Sequence, residues 1–158
     1  MAKARDIPGL SADLPFREAA ALAVGTRADE VWEHEHRALD TGDIEGVHDM
    51  RVATRRLRAA MEIFEACFPK RRHRGALREV KRLAGALGGR RDPDVMIERL
   101  RSLEAELGRE DAPGIESLVE ELRAGQDEAN ARLARALAEA REQRLPERLR
   151  LLAAEARG

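Results

Sequence analysis

Four side chains able to carry positive charge recur at one-turn intervals in VHDMRVATRRLR, residues 47–58: His48, Arg51, Arg55 and Arg58. On a helix advancing about 100° per residue, Arg55 falls about −20°, Arg51 about −60° and Arg58 about −80° from His48, while the apolar side chains centre about 180° away. Pooled cations repel one another, and an anion relieves that repulsion. A guanidinium offers two parallel donors that match two phosphate oxygens in one plane. Arginines one turn apart, about 5.4 Å, make a ladder for the successive phosphates of a linear chain. His48 in such a row can donate to a phosphate, and the anion in turn favours its protonated form. The competing explanation is a solvated arginine face paired with glutamates of neighbouring helices.

A second cationic face weighs against that alternative. Arg74, Arg78 and Lys81 share one side of the next predicted helix, away from its apolar stripe. Arg91 is placed to reach the same groove, and Arg56 joins the cationic set by charge and position. From His48 to Arg91 there are 13 Lys or Arg against 4 Asp or Glu, a net of +9, which leaves −10 on the rest of a chain whose total is −1. That asymmetry points to an anionic partner for the middle and a solvated acidic surface elsewhere.

Catalytic machinery is not legible. Asp49 and Glu62 are the acids nearest the row on its own helix, and their spacing suits solubility or local pairing rather than a reaction centre. No phosphate-binding P-loop, zincin motif or nucleophile elbow occurs. His34 and His36 point to different sides of a helix and no helical His pair at i,i+4 exists, so neither a metal nor another cofactor is expected. Cys67, the single cysteine, lies in an apolar helical row and is expected in the core.

The elements that must position these groups are helical. Ala, Leu, Arg and Glu dominate, aromatics are 3% and Tyr is absent, a composition that favours long helices over strands. The expected fold is an all-α antiparallel bundle of about four to six helices forming one domain over residues 1–158, its ordered core about 14–157. A first helix is predicted over Leu14–Leu39 and a second from near Asp43 to Phe68, where Met50, Ala53, Leu57, Ala60, Met61, Phe64 and Phe68 form one apolar stripe. Pro69 should stop it before a basic turn, KRRHRG. Leu77, Val80, Leu83, Ala84 and Leu87 mark a third helix that Gly88 and Gly89 should end. Asp92 and Pro93 should open a fourth through Met96, Leu100, Leu103 and Leu107, closed by Gly108 and a turn over Arg109–Pro113. A fifth is predicted from Ile115 to about Arg144, with Pro146 kinking or breaking it before a short amphipathic tail. The N-terminal MAKARDIPGL lacks a signal-like apolar stretch and no run approaches the roughly 18 apolar residues of a span, so the expected location is cytoplasmic, without membrane attachment.

Two motifs, H-x-x-R-x-x-x-R-R-L-R beginning at His48 and L-G-x-x-R-D beginning at Leu87, resemble the CHAD family, helical domains named for their histidine. The resemblance is closest from Asp43 to Leu100 and extends to the flanking helices in pattern. It implies binding of inorganic polyphosphate in a basic groove by His48, Arg51, Arg55, Arg58, Lys81 and Arg91; Arg56, Arg74 and Arg78 are added from charge and geometry. The family fold typically holds two similar bundles, each with its own histidine-and-arginine motif, whereas no second H-x-x-R follows Arg144. Either a half module functions alone or two chains pair, and a homodimer would cover the apolar surface that a second bundle otherwise buries. The expected function is therefore non-catalytic polyphosphate binding, with polyphosphate granules as a place of action. Competing classes are a nucleic-acid backbone binder, a phosphohydrolase or its accessory using His48, and an adaptor on polyphosphate-rich granules. Base stacking on single strands is disfavoured because Phe64 and Phe68 fall on the core face.

Overall fold

In a computed structural model, which describes residues 3–108 and 110–158, the chain is all-α. The helices are α1 (Phe16–Glu33), α2 (Glu35–Ala38), α3 (Ile44–Ile63), α4 (Lys70–Glu106), α5 (Ala112–Glu142) and α6 (Leu145–Glu155), with a 3-10 turn over Glu65–Cys67. Helix α3 follows its predicted stripe: Val47, Met50, Ala53, Leu57 and Met61 are at most 1% exposed. It packs against α1 on one side and α4 on the other. Alanines 20, 21, 23 and 28 of α1 are buried, and their small side chains let α3 and α6 approach closely. Cys67 lies in the core, as expected.

Several predicted boundaries move. The first helix is interrupted at His34, which separates α1 from α2, and the second ends at Ile63 rather than Phe68. KRRHRG is not a turn but the start of α4. Pro69, at φ −61° and ψ 117°, stands immediately before Lys70 and starts the new helix. His73 explains why the basic segment coils: it is 1% exposed, its ring stacks on Phe68, and its Nε2 donates to the Met61 carbonyl at 2.8 Å. That bond fixes the start of α4 to the end of α3.

The largest correction concerns Gly88, Gly89, Asp92 and Pro93. The predicted third and fourth helices are one continuous helix of 37 residues, α4, with Pro93 inside it. A glycine C-cap needs left-handed backbone, and among the described residues positive φ at glycine occurs only at Gly9 and Gly158. A proline in a helix interior costs about 3 kcal/mol through a lost hydrogen bond and a clash with the carbonyl four residues back. Tertiary contacts outweigh it. Helix α5 returns antiparallel along α4, as the paired positions show: Arg82 with Glu139, Arg90 with Asn130, and Arg101 with Glu116. Leu83 and Leu87 share the core with Leu133 and Leu137, each such burial contributing about 1.5–3 kcal/mol.

Across Pro93 itself lies a buried ion pair. Arg90, 0% exposed, donates from Nη1 to Asp94 Oδ1 at 2.5 Å and from Nε to Asn130 Oδ1 at 3.1 Å. Gln126 donates to the same Asp94 oxygen, and Asn130 Nδ2 donates to the Leu39 carbonyl at 3.2 Å, tying in the end of the α2 segment. At the far end of the hairpin Pro113 lies in the first turn of α5, while Arg109, expected in that turn, is outside the described residues. The break before α6 falls at Arg144, whose φ of 53° is left-handed, and Pro146 sits within the new helix's first turn. Helix α6 then closes the bundle on α1 and α4 through Arg150 to Asp29 and Arg148 to Glu79.

Removing one member of the buried pair strands the other charge. Asp94→Ala is expected to lower unfolding stability by about 3–5 kcal/mol in urea titrations, whereas Arg90→Met combined with Asp94→Leu loses much less.

Candidate functional site: a cationic groove between two helices

The groove depends on where α3 begins. Asp43 caps that helix, its Oδ1 accepting the Gly46 N–H at 3.0 Å. Arg37 Nε donates to Asp43 Oδ2 at 2.8 Å and Arg37 Nη1 lies 3.4 Å from Asp49 Oδ2, so α2 is held across the start of α3. Gly46 makes the crossing possible, because a Cβ there would stand 2.4 Å from the Arg37 carbonyl oxygen. With the apolar stripe of α3 turned into the core, its opposite edge carries the basic row.

Arg51, Arg55 and Arg58 of α3 face Lys81, Ala84 and Gly85 of α4 across an open groove of about 310 Å³. The small side chains at positions 84 and 85 leave its α4 wall low, and nothing stands within 4 Å of where a Cβ on Gly85 would be. Arginines elsewhere on the surface find carboxylates: Arg27 with Glu30, Arg101 with Glu104 and Glu116, Arg148 with Glu79. Among the described residues Arg51 and Arg55 form no ion pair. Glu62 is the acid at this groove, its Oε1 lying 3.2 Å from both Arg58 Nε and Lys81 Nζ. The Lys81 ammonium, with the Arg58 guanidinium, holds the Glu62 carboxyl below the usual carboxylate range despite partial desolvation.

The other expected site residues are placed differently. His48 is half-buried on α3, one turn before Arg51. Arg74 and Arg78 are exposed on α4 upstream of Lys81 and do not line the groove. Arg91 has a side chain only 12% exposed, with Nη1 3.9 Å from Asp94 Oδ2, which draws it toward the buried pair. Arg56 points to the opposite side of α3, its Nη1 3.4 Å from Glu30 Oε1 on α1. The reason is angular: it lies about 80° from His48 in the sense opposite to the row. Arg90, Asp94 and His73 went unrecognised in the sequence. An Arg and an Asp four apart on either side of a proline was the signal for the first two; nothing local marks His73.

Among the described residues no group of three or more His, Cys, Asp or Glu side chains is placed to hold a metal ion, and no helix is long and apolar enough to cross a membrane. Fold and site together define an all-helical bundle with a cationic groove between two of its helices. The chain belongs to the CHAD family, whose domain matches residues 22–158, from within α1 to the last residue. No curated protein and no solved structure matches it.

Glu30 supplies a pH dependence outside the groove. Burial alone would raise its pKa, but the Arg5 N–H at 3.0 Å, the Arg27 guanidinium at 2.7 Å and the Arg56 charge outweigh burial and lower it. A carboxylate held lower in the folded state contributes stability above its ordinary range and loses it as pH falls through the folded value. The melting temperature is expected to stay level from neutrality to about pH 5 and fall below about pH 4. Glu30→Gln should flatten that fall in a thermal melt series.

Proposed function

We propose that the chain binds inorganic polyphosphate in the groove between α3 and α4, without catalysis. The observation that carries this is the pair Arg51 and Arg55, two cations without a carboxylate partner among the described residues, beside Arg58 and Lys81 in one open channel. Their one-turn spacing suits a linear chain of phosphates, each guanidinium matching two oxygens in a plane. His48 extends the row by one turn and adds a ring N–H donor. Membership of the CHAD family supports the same ligand. Glu62, the acid at the groove among the described residues, is already ion-paired with Arg58 and Lys81, which supports binding over hydrolysis. Action in the cytoplasm, on polyphosphate granules, belongs to the same proposal.

Long-chain polyphosphate is expected to bind in calorimetry with affinity that falls steeply as salt rises, through counterion release. Arg51→Ala combined with Arg55→Ala should weaken it by roughly 100-fold or more, the loss of two charge-assisted contacts. Duplex DNA binding as tightly as polyphosphate, or a double variant that binds unchanged, would refute the assignment.

Assembly as a homodimer belongs to the same proposal. Met96 and Leu103 of α4, Leu107 just past its end and Leu118 of α5 are 43–49% exposed along the distal half of the hairpin, where a second copy would cover them. Sedimentation should show a dimer at micromolar concentration that Leu103→Glu disperses; a wild-type monomer there would dismiss it.

A further inference from the structure

We infer that Glu62 is a resident competitor for the groove, occupying an anion seat that a polyphosphate chain must take over, and that it sets the preference for chains over single phosphates. The inference rests on the polyphosphate assignment above and deepens it. On the helical wheel Glu62 falls about −40° from His48, inside the arc of the basic row rather than beside it. It follows Arg58 by four residues, so it occupies the next rung of the ladder with the opposite charge. One oxygen, Oε1, receives both Arg58 Nε and Lys81 Nζ at 3.2 Å. Those two cations, one from each wall, can therefore converge on a single anionic oxygen, and a phosphate oxygen fits the same seat.

The seat is surface-accessible. The Glu62 side chain is 42% exposed, and those of Arg58 and Lys81 are 48% and 49%. Ion pairs this exposed are weak, so the carboxylate can swing into water when a stronger anion arrives. It remains tethered, however, and a tethered group competes at high effective concentration. A single orthophosphate meets that competition with one group. A chain already held by Arg51 and Arg55 presents its next phosphate to the seat as a tethered group itself, and its greater charge displaces Glu62. Selection for length then arises without a pocket that measures it.

The test compares wild type, Glu62→Gln and Glu128→Gln by calorimetry, with long-chain polyphosphate and with orthophosphate, each across a salt series. Glu128 lies on α5 beside Arg132, so its substitution removes the same charge far from the groove. Glu62→Gln is expected to tighten polyphosphate binding by about three- to tenfold, to steepen its salt dependence by about one ion because the one carboxylate charge that offset Arg58 and Lys81 before binding is gone, and to strengthen orthophosphate binding by a larger factor. Glu128→Gln should match wild type in all three. If Glu62→Gln binds polyphosphate with wild-type affinity and salt slope, or more weakly, the competitor role is wrong. A wild-type protein that does not bind polyphosphate at all would instead overturn the assignment of the groove.

Discussion

The ion pair between Arg90 and Asp94 spans the one place where α4 should fail. Two glycines precede it and Pro93 lies between its members, yet Arg90 reaches Asp94 at 2.5 Å and Asn130 at 3.1 Å. Gln126 and Asn130 bring α5 and the Leu39 carbonyl into the same network. A buried pair of this kind is a poor source of net stability compared with apolar packing, but it tolerates few alternative arrangements. Its effect is to keep 37 residues in one continuous helix, about 55 Å along its path. Because α4 does not break, the residues that face α3 and those that pack on α5 keep a fixed angular relation. Lys81, Ala84 and Gly85 are thereby held opposite the arginine row.

Arginine has three distinct environments in this chain, and neighbours decide which. Arg90 is enclosed and satisfied in part by Asp94 and Asn130. Arg27, Arg101 and Arg148 sit near the surface against carboxylates: Arg27 pairs with Glu30 within α1, whereas Arg101 joins α4 to α5 through Glu116 and Arg148 joins α6 to α4 through Glu79. Arg51 and Arg55 form no ion pair among the described residues, and their charge is left to the groove. Acids outside residues 48–91 pair with cations of that segment away from the channel, Glu30 with Arg56, Glu139 with Arg82 and Glu155 with Arg72. Glu62 is the exception, placed at the end of the row, where a single carboxylate limits how far the cationic surface extends.

Much of the architecture was legible before any coordinates. The apolar stripe of α3 and its opposite basic edge follow from residue spacing alone, because a helix fixes the angle between positions whatever it packs against. Composition favoured helices over strands, and the predicted fifth helix and the short amphipathic tail after Pro146 correspond to the long α5 and the closing α6. The motifs at His48 and Leu87 likewise identified the family across Asp43–Leu100, and the family match extends over both flanks. Helix ends were not legible in the same way. Gly88, Gly89 and Pro93 are strong local stop signals worth about 1 and 3 kcal/mol, and buried contacts from residues 30 to 40 positions away exceed them.

The direction of individual charged side chains was the least legible property. Residue order established that α3 carries a basic edge, since periodicity is a property of the helix itself. Whether a given cation on that helix serves binding or structure depended on the surroundings: Arg56 meets Glu30 because α1 packs there, and Arg91 leans toward Asp94 because α5 buries that carboxylate. His73 shows the same division, reading as part of a basic run and becoming a core hydrogen bond only when α4 folds back on α3. Local sequence sets angles and propensities over a few turns, whereas pairing and burial are set by long-range contacts, which no periodicity encodes.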